Sequence, residues 1–427
     1  MEDAAVMDLA QFSSRGERIE VRPARALRDH VNADVVFFEY PGYDVSALPR
    51  EVAVLPFLWT IASVVWATGA RFELETLPES VVESMAFIRG LLRRMYPSLA
   101  WDGEISARNQ VADPPMSTPR FAEAVMYSGG VDSIYSALRH RGPQTLLVSV
   151  WGADIALRDG KRWARHEADA RGFAGQHAGG LAIVRSNFRD LNYVRVNDLT
   201  DEVRRWWIDV QFSMALTGVA APLLHLNGIP TLHLAGGLPR DETTLYRHAS
   251  SPLLDHRIAL AGPHVHHDGA QVNRHPKVDL IVQMTDGAPV RVCHVGHGAD
   301  MNCGRCRKCI RTQAAIYIAK GDPCPYGFPH YSIDLLRRFG RAVASGEVTF
   351  APNEIPMWTE IQAIARERGS QGLGWLLETD FADYQRQHSV PAPRSRRLLG
   401  KVIARAPHIQ HRLKSLVRLR KASRLLP

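Results

Sequence analysis

The sequence predicts an α/β protein built around a parallel β-sheet, and two observations lead to this prediction. Between Phe121 and about Gly237, short apolar segments typical of buried strands alternate with longer segments of helical periodicity. The first strand, AEAVMY, runs into a short glycine-containing loop and then into a helix. Strands that alternate with helices of this length form parallel sheets with right-handed crossovers.

The alternating elements follow one another without an internal repeat. In chain order they are strand AEAVMY, helix DSIYSALRHR, strand TLLVSV, helix RWARHEADARGFAGQHA, strand LAIVRS, a long apolar helix from about Val203 to Leu226, and strand TLHLAG.

The residues before this alternation are predicted to form a separate α+β unit. It contains the strand-like segments ADVVFFEY and RFELETL and the helix ESVVESMAFIRGLLRRMY, and the Pro- and Ser-rich segment SARNQVADPPMSTPR then reads as a linker or long loop. The predicted divisions are an N-terminal unit (1–115), an α/β domain (116–325) with a cysteine segment (293–309), a helical C-terminal region (326–390) and a basic tail (391–427).

The N-terminal residues and the most apolar stretch bear on cellular location. The first residues, MEDAA, lack the basic flank and apolar run of a secretory signal, so a cytoplasmic protein is expected. The uncharged stretch from Val52 to Ala70 is long enough for a membrane helix. Its proline and its polar residues favour a buried helix instead, and no transmembrane segment is predicted.

Basic charge is concentrated at the C-terminus. The chain has 427 residues and a formal net charge of +8, and residues 391–427 contain eleven Lys and Arg and no acidic residue. This tail can form a basic amphipathic helix that binds an acidic protein, RNA or an anionic membrane surface. A solvated terminal helix docked on its own domain explains the same residues, and the sequence leaves both open.

The loop after the first strand of the alternation has the composition of a phosphate site. Gly129 and Gly130 allow the backbone to approach an anion closely, and the N–H groups at the start of the following helix point toward it. Ser128 and Ser133 add hydroxyl donors, and Asp132 can cap the helix or help to hold Mg²⁺. A glycine-rich turn with a serine or aspartate cap explains any two of these residues, but not all five.

The six residues Ser128-Gly129-Gly130-Val131-Asp132-Ser133 match the SGGxDS motif, and this part of the chain resembles the PP-loop ATP pyrophosphatases. The resemblance implies that ATP binds with Mg²⁺, that a substrate oxygen attacks the α-phosphate and that pyrophosphate leaves from the loop. All six residues are then expected to bind ATP, with Ser128, Asp132 and Ser133 also catalytic. The adenine is expected near the strand end from Val148 to Gly152, which includes Trp151.

Four of the five cysteines are spaced as metal ligands. Cys293, Cys303, Cys306 and Cys309 form a C-x9-C-x2-C-x2-C pattern, which suits a tetrahedral Cys₄ zinc site in a reducing compartment. An iron–sulfur cluster is the chemical alternative. The fifth, Cys324, is predicted to be a buried loop thiol.

The cysteine spacing points to one group within the PP-loop enzymes. Among PP-loop enzymes, 7-cyano-7-deazaguanine synthase has a similar zinc site in a CGxCxxCxxR context, and this chain reads CGRCRKCIR. The resemblance covers about Ala122 to Lys320. The N-terminal unit and the one-residue-longer first cysteine gap are departures that look more like the broader set of relatives of that synthase. The synthase's substrate is therefore not carried over to this chain.

The resemblance implies an AMP-forming ligase or synthase. The expected reaction adenylates a carboxylate or similar oxygen of a small acidic substrate, for which a deazaguanine-like acid is one candidate, and ammonia or an amine then displaces AMP to give an amide, nitrile or conjugate. Because zinc would occupy four of the five thiols, a nitrogen nucleophile is favoured over sulfur. The alternatives are a ligase that joins such an acid to a protein or other macromolecular amine, an ATP-binding regulatory protein without turnover, and an RNA-modifying enzyme.

The segment after the last predicted strand offers substrate-binding candidates. Ser251 and Asp255 follow that strand, where a ligand at the carboxyl ends of parallel strands would be reached. Arg274 and Lys277 are expected to hold a carboxylate or the α-phosphate. The segment GPHVHHDG contains His264, His266 and His267, which are interpreted as a polar surface loop, with a second metal site as the alternative.

Overall fold

The structure, a computed structural model, describes residues 5–6, 12–24, 27–237, 245, 247–293, 301–351, 354–369 and 372–388. It divides into two compact units, Met1–Asn273 and Arg274–Pro427. The boundary predicted near residue 115 lies inside the first unit, and the one predicted near residue 325 lies inside the second. The basic tail predicted for residues 391–427 lies outside the described residues.

The first unit contains eleven strands within the described residues. They are β1 (Ala5–Val6), β2 (Phe12–Arg15), β3 (Arg18–Val21), β4 (Val36–Glu39), β5 (Arg71–Pro78), β6 (Glu104–Val111), β7 (Glu123–Met126), β8 (Gly142–Trp151), β9 (Ala178–Ser186), β10 (Thr231–Ala235) and β11 (His264–Asp268). The α-helices of this unit are α1 (Arg50–Ala53), α2 (Leu55–Thr68), α3 (Glu79–Met95), α4 (Val131–Arg139), α5 (Gly160–His177), α6 (Tyr193–Asn197), α7 (Phe212–Leu226) and α8 (Pro252–Asp255).

Eight of these strands form one mixed, mostly parallel sheet in the order β11-β10-β7-β8-β9-β4-β3-β2. The five strands from β11 to β9 are parallel to one another, because the chain returns through helices between them. The predicted α/β class with a parallel sheet is confirmed at this level.

The three N-terminal strands extend this sheet and do not form a unit of their own. β4 pairs antiparallel with β9, with Phe38 opposite Ser186 and Glu39 opposite Arg185, and β3 and β2 follow as antiparallel neighbours. The side chain of Arg185 also forms an ion pair of 2.6 Å with Glu39. The predicted separate N-terminal unit is therefore not observed: β2, β3 and β4 complete the sheet of the following segment, and the compact unit runs from Met1 to Asn273.

A second sheet, in the order β1-β5-β6, is parallel throughout. The residues from Ser106 to Val111 of β6, which were expected to begin a linker, pair with β5 instead, with Ser106 opposite Glu73. The prediction of a linker is wrong over this part, because backbone pairing with a neighbouring strand outweighs a polar local composition.

Helices α2 and α7 form the apolar centre of the first unit. Every residue of α2 from Leu55 to Trp66 is buried, so the stretch that is long enough for a membrane helix packs inside the protein. Within the described residues, one helical stretch, Trp207–Leu226, is long and apolar enough to cross a membrane by length and composition, and most of it is buried. It opens with a π-helical turn, Trp207–Gln211, about four residues after its predicted start.

The second unit is helical over its described residues. Its α-helices are α9 (Arg274–Met284), α10 (Arg307–Lys320), α11 (Ile333–Ala344), α12 (Ile355–Arg368), α13 (Gly374–Glu378) and α14 (Phe381–His388). Aromatic side chains pack between α11, α12 and α13, and the Phe339 ring lies 5.6 Å from the Trp358 ring and 5.7 Å from the Trp375 ring, centroid to centroid. This packing agrees with the helical region predicted for residues 326–390.

Alanine at Gly218 should destabilise the first unit. Gly218 lies where α7 crosses α2, and an added Cβ would stand 2.6 Å from Trp59 Cβ and 3.2 Å from the Leu55 carbonyl oxygen. Overpacking of this kind costs about 1–3 kcal/mol of unfolding free energy. The matched control is Gly172→Ala in α5, where nothing lies within 4 Å and the change should stabilise by up to about 1 kcal/mol. Thermal unfolding followed by circular dichroism measures both, and equal shifts would contradict close packing at Gly218.

Candidate functional site

The small-residue loop lies at a topological switch point of the sheet. β7 is flanked by β8 on one side and by β10 on the other, and the chain proceeds from β7 through β8 to β9 before it crosses to β10. A crevice forms outside the carboxyl ends of such strands, because the connections that follow them leave in opposite directions. Residues 127–130 follow the carboxyl end of β7, and Gly236 follows that of β10.

Two serines bind the loop into a compact turn. The Ser128 N–H donates to Ser133 Oγ over 3.2 Å, and Ser133 Oγ donates to the Gly130 carbonyl over 3.1 Å. The hydroxyls of Ser128 and Ser133 are 3.1 Å apart. Gly129 has a φ of +69°, a conformation that side chains disfavour. Ser133 is buried, so its hydroxyl shapes the loop, while Ser128 is half-buried.

Helix α4 begins directly after this loop. Gly130 is its N-cap residue and has no side chain with which to cap it. Asp132 lies in the first turn and is half-buried. The first turn of a helix leaves N–H groups without intrahelical acceptors and carries the positive end of the helix dipole. The structure therefore gathers Ser128, Gly130 and Asp132 around a helix start suited to an anion, with a carboxylate beside it.

The predicted adenine contact, Trp151, ends β8, the strand next to the loop strand. Its ring stacks on Trp163 with the ring centroids 5.3 Å apart and the planes 2° from parallel, and the Arg185 guanidinium lies 5.5 Å from the ring. Trp151 is only partly buried. The arrangement leaves part of an aromatic surface at the same end of the sheet as the loop.

A buried dyad that the sequence did not predict lies beside β10. Asp255 Oδ2 accepts from His267 Nδ1 over 2.6 Å and from Ser250 Oγ over 2.7 Å. The His267 Nε2 atom is buried without a hydrogen-bond partner among the described residues, and a Cβ on Gly236 would lie 2.4 Å from it. The imidazole is therefore held by a carboxylate and directed at the turn that follows β10.

This dyad changes the interpretation of two predicted residues. Asp255 has no exposed surface, and its Oδ2 atom is bonded to His267 and Ser250, so in this structure its nearest partner is an imidazole. Ser251 is also buried and begins α8 as its N-cap residue.

The segment containing the three histidines is a strand, β11, and not the predicted loop. Its pairing with β10 alternates the side chains, so His264 and His266 are exposed and His267 is buried on the opposite face. The three histidines therefore do not converge on one metal ion. The proline and glycine before the segment suggested a loop, although the alternation of HVHHD is also that of a strand.

Arg274 and Lys277, the remaining substrate candidates, belong to α9 in the second unit. Lys277 is 1% exposed. Arg274 lines a cavity of about 10 Å³ together with Arg311 and Thr312 of α10. This volume is no larger than one water molecule needs. That cavity is therefore too small for a substrate, and the assignment of Arg274 and Lys277 to substrate binding stays a prediction.

The four predicted metal ligands converge in the second unit. The sulfur atoms of Cys293 and Cys306 are 3.7 Å apart, those of Cys303 and Cys309 are 3.9 Å apart, and those of Cys306 and Cys309 are 3.5 Å apart. Sulfur atoms bound to one zinc ion at about 2.3 Å lie at comparable separations. These four cysteines can hold a metal ion such as zinc.

The surrounding backbone positions the thiols. Cys306 is the N-cap residue of α10 and its N–H donates to Cys303 Sγ over 3.3 Å, so the helix dipole and a backbone donor both favour thiolates. Asn302 Oδ1 accepts from the N–H of Cys293 over 3.2 Å, and its amide donates to the Gly327 carbonyl over 3.0 Å. Hydrogen bonds from the other three thiols lower the pKa of the Cys293 thiol.

Cys324 lies apart from this cluster in a short 3₁₀ turn and is partly exposed, not buried as predicted. Burial and the neighbouring Asp322 carboxylate raise the pKa of the Cys324 thiol. A raised pKa makes it a poor nucleophile at neutral pH.

Searches of protein-family models, curated proteins and solved structures find no match to this chain.

Loss of one cluster thiol should release the metal. Cys306→Ser removes one thiolate ligand and leaves a residue that is compatible with the N-cap position of α10, so the variant should lose zinc and, with it, a large part of the stability of the second unit, because structural zinc binding is coupled to folding. Cys324→Ser is the control and should keep the metal. Elemental analysis should find one zinc ion at the cluster. The visible absorption spectrum should show no iron band. A wild type that folds fully without any metal would exclude this site.

Proposed function

We propose that the chain is an ATP-dependent, AMP-forming enzyme of the PP-loop ATP pyrophosphatase type. The observation that carries the proposal is the position of SGGVDS, which matches the family motif and lies between β7 and α4 at the switch point of a parallel sheet. Nucleotides bind at such switch points in open α/β sheets, where the loop and the helix start face the crevice.

The loop residues have distinct roles in this proposal. The N–H groups of the loop and of the first turn of α4 bind the β- and γ-phosphates of ATP, together with the hydroxyl of Ser128. Ser133 holds the turn in shape through its bonds to Ser128 and Gly130. Asp132 binds Mg²⁺ on the pyrophosphate. Trp151 offers its ring to the adenine at the end of the neighbouring strand.

The chemistry proceeds in two steps. A carboxylate oxygen of a small acidic substrate attacks the α-phosphorus, the bond from this phosphorus to the bridging oxygen breaks, and pyrophosphate leaves. Donors fixed in advance around the leaving group stabilise the charge that it gains. Ammonia or an amine then attacks the acyl carbon, AMP leaves, and the nitrogen loses a proton to give an amide or conjugate.

The dyad of Asp255 and His267 supplies a proton acceptor for the second step. The carboxylate accepts from Nδ1–H, so Nε2 is the basic nitrogen of the ring. This atom is directed at the turn after β10, which borders the proposed crevice. An imidazole held in this way is a common general base.

The alternative functions differ in the nucleophile of the second step, in whether pyrophosphate is released, and in RNA binding. In a conjugating ligase, a protein amine takes the place of ammonia in the same second step. A regulatory ATP-binding protein would bind ATP without releasing pyrophosphate, and an RNA-modifying enzyme would bind RNA in a salt-dependent manner. Nitrogen is favoured over sulfur because Cys324, the only cysteine outside the metal cluster, has a raised pKa.

Substitutions in the loop should slow formation of AMP. Asp132→Asn and Ser128→Ala should each lower the rate by about 10²-fold or more with little change in substrate affinity, because the lost interactions strengthen as the bond breaks. Gly130→Val should be at least as severe, although its φ of −81° allows valine, because the side chain fills the space that the phosphate needs. The measurement is pyrophosphate and AMP release from ATP across a panel of carboxylic acids that includes carboxy-deazaguanine.

Asp198→Asn is the control for this experiment, since that carboxylate is exposed and lies at the end of α6. It should match the wild type. ADP and phosphate as products, or wild-type turnover in both Asp132→Asn and Gly130→Val, would refute the proposal.

Replacement of His267 separates the two steps. His267→Gln should preserve isotope exchange between pyrophosphate and ATP, which reports adenylation, and should slow amide formation by about 10²-fold or more. Equal loss of both steps would show that His267 only supports the fold, and no loss in either step would exclude it from the reaction.

A further inference from the structure

A second group of metal-binding side chains lies in the first unit, and none of its members belongs to the loop or to the cysteine cluster. His140 Nδ1 is 3.0 Å from Glu123 Oε2, and His233 Nε2 is 2.9 Å from the same oxygen. Ligand atoms of all three residues lie within 4.8 Å of one another. Two imidazole nitrogens and one carboxylate oxygen thus converge on a single point.

Three different elements bring these residues together. Glu123 begins β7, at the end of that strand opposite the small-residue loop, while His140 follows α4 and His233 is the central residue of β10. The two imidazole rings stack with their centroids 3.7 Å apart. Because the three residues are up to 110 positions apart in the sequence, only the fold brings them into contact.

The second ring nitrogen of His140 lies near a buried carboxylate. His140 Nε2 lies 3.6 Å from Asp268 Oδ1, and this carboxylate is itself held by Ser136 over 2.6 Å and by Arg139 over 2.6 Å. Metal-binding histidines characteristically direct their second nitrogen at a carboxylate, which orients the ring and raises its basicity. Glu123 is fixed in a similar way, since Thr145 donates to its other oxygen, Oε1, over 3.3 Å.

The burial of the group suits a partly dehydrated ion. The side chain of His233 is 8% exposed and its Nδ1 has no hydrogen-bond partner among the described residues. Glu123 is 28% exposed and His140 is 19% exposed, so solvent reaches one side of the point of convergence. Two carboxylates, those of Glu123 and Asp268, lie at this group against the single guanidinium of Arg139.

We propose that Glu123, His140 and His233 bind a divalent transition metal ion of the zinc class, with Asp268 as the outer carboxylate and water at a fourth position. Two histidines and a carboxylate with one open position are a ligand set that zinc takes in proteins. The soft cysteine cluster and this harder nitrogen–oxygen set would hold separate ions. The rival explanation is a hydrogen-bond network in which Glu123 accepts from both rings without any ion.

The experiment is a titration of the full-length protein with its cysteine-bound zinc left in place. Zn²⁺ is added and followed by calorimetry, and Co²⁺ is added in parallel and followed by absorption. The wild type should bind one further equivalent, and the added Co²⁺ should show visible d–d bands without a thiolate charge-transfer band. Glu123→Gln and His233→Gln should each weaken this binding by about 100-fold or more, and Asp268→Asn by about 10- to 100-fold.

The matched control is His264→Gln, since His264 is exposed on β11, the same strand as Asp268, and lies outside the group. It should bind the added ion as the wild type does. Circular dichroism before metal addition identifies variants that fail to fold, and Glu123→Gln, the more exposed position, remains informative if His233→Gln does not fold. Absence of a further equivalent in the wild type, or undiminished binding in Glu123→Gln, would overturn the proposal and leave the hydrogen-bond network. Failure of the ATP chemistry would not affect this outcome.

Discussion

The packing of α2 against α7 is the interaction on which the first unit depends. Gly218 allows the two helices to approach closely. Two hydrogen bonds also join α2 to the residues just before α7: Gln211 donates to the Thr60 carbonyl over 2.7 Å, and the Trp206 indole donates to Ser63 over 3.1 Å. Because α2 comes from the N-terminal third and α7 connects β9 to β10, this contact joins the N-terminal segment to the strands that carry the loop. The packing of α7 therefore sets the position of β10, the strand that forms one side of the switch point.

Much of the α/β pattern could be predicted because it is local. Apolar strands such as β7 and β8 and the helix α4 have strong periodicity. The loop between β7 and α4 has a composition that few other structures require. The N-terminal strands could be recognised but not assigned to a sheet, because the pairing of β4 with β9 joins residues about 150 positions apart. For the same reason β6 resembled a linker: its polar residues are a strand only when β5 lies beside it.

The candidate sites also differ in whether their residues are close in the sequence. The cysteines could be predicted as a cluster because three of them fall within one turn and the start of one helix. The dyad of Asp255 and His267 and the group around Glu123 could not, because each forms across separate elements and no sequence spacing links its members. His267 was grouped with its neighbours His264 and His266, but a strand places adjacent residues on opposite faces, and only the alternation of HVHHD signalled this.

The antiparallel pairing of β4 with β9 also bears on how this chain can be divided. The motif and the sequence resemblance begin near residue 122, yet the compact unit runs from Met1 to Asn273. A fragment starting at residue 116 would leave β9 with an unpaired edge, which invites pairing between chains, and α7 with an uncovered apolar face. The segment that carries the SGGxDS match is therefore not a transferable module. Any ancestor or designed relative that kept the segment alone needed another way to cover that edge and that helix.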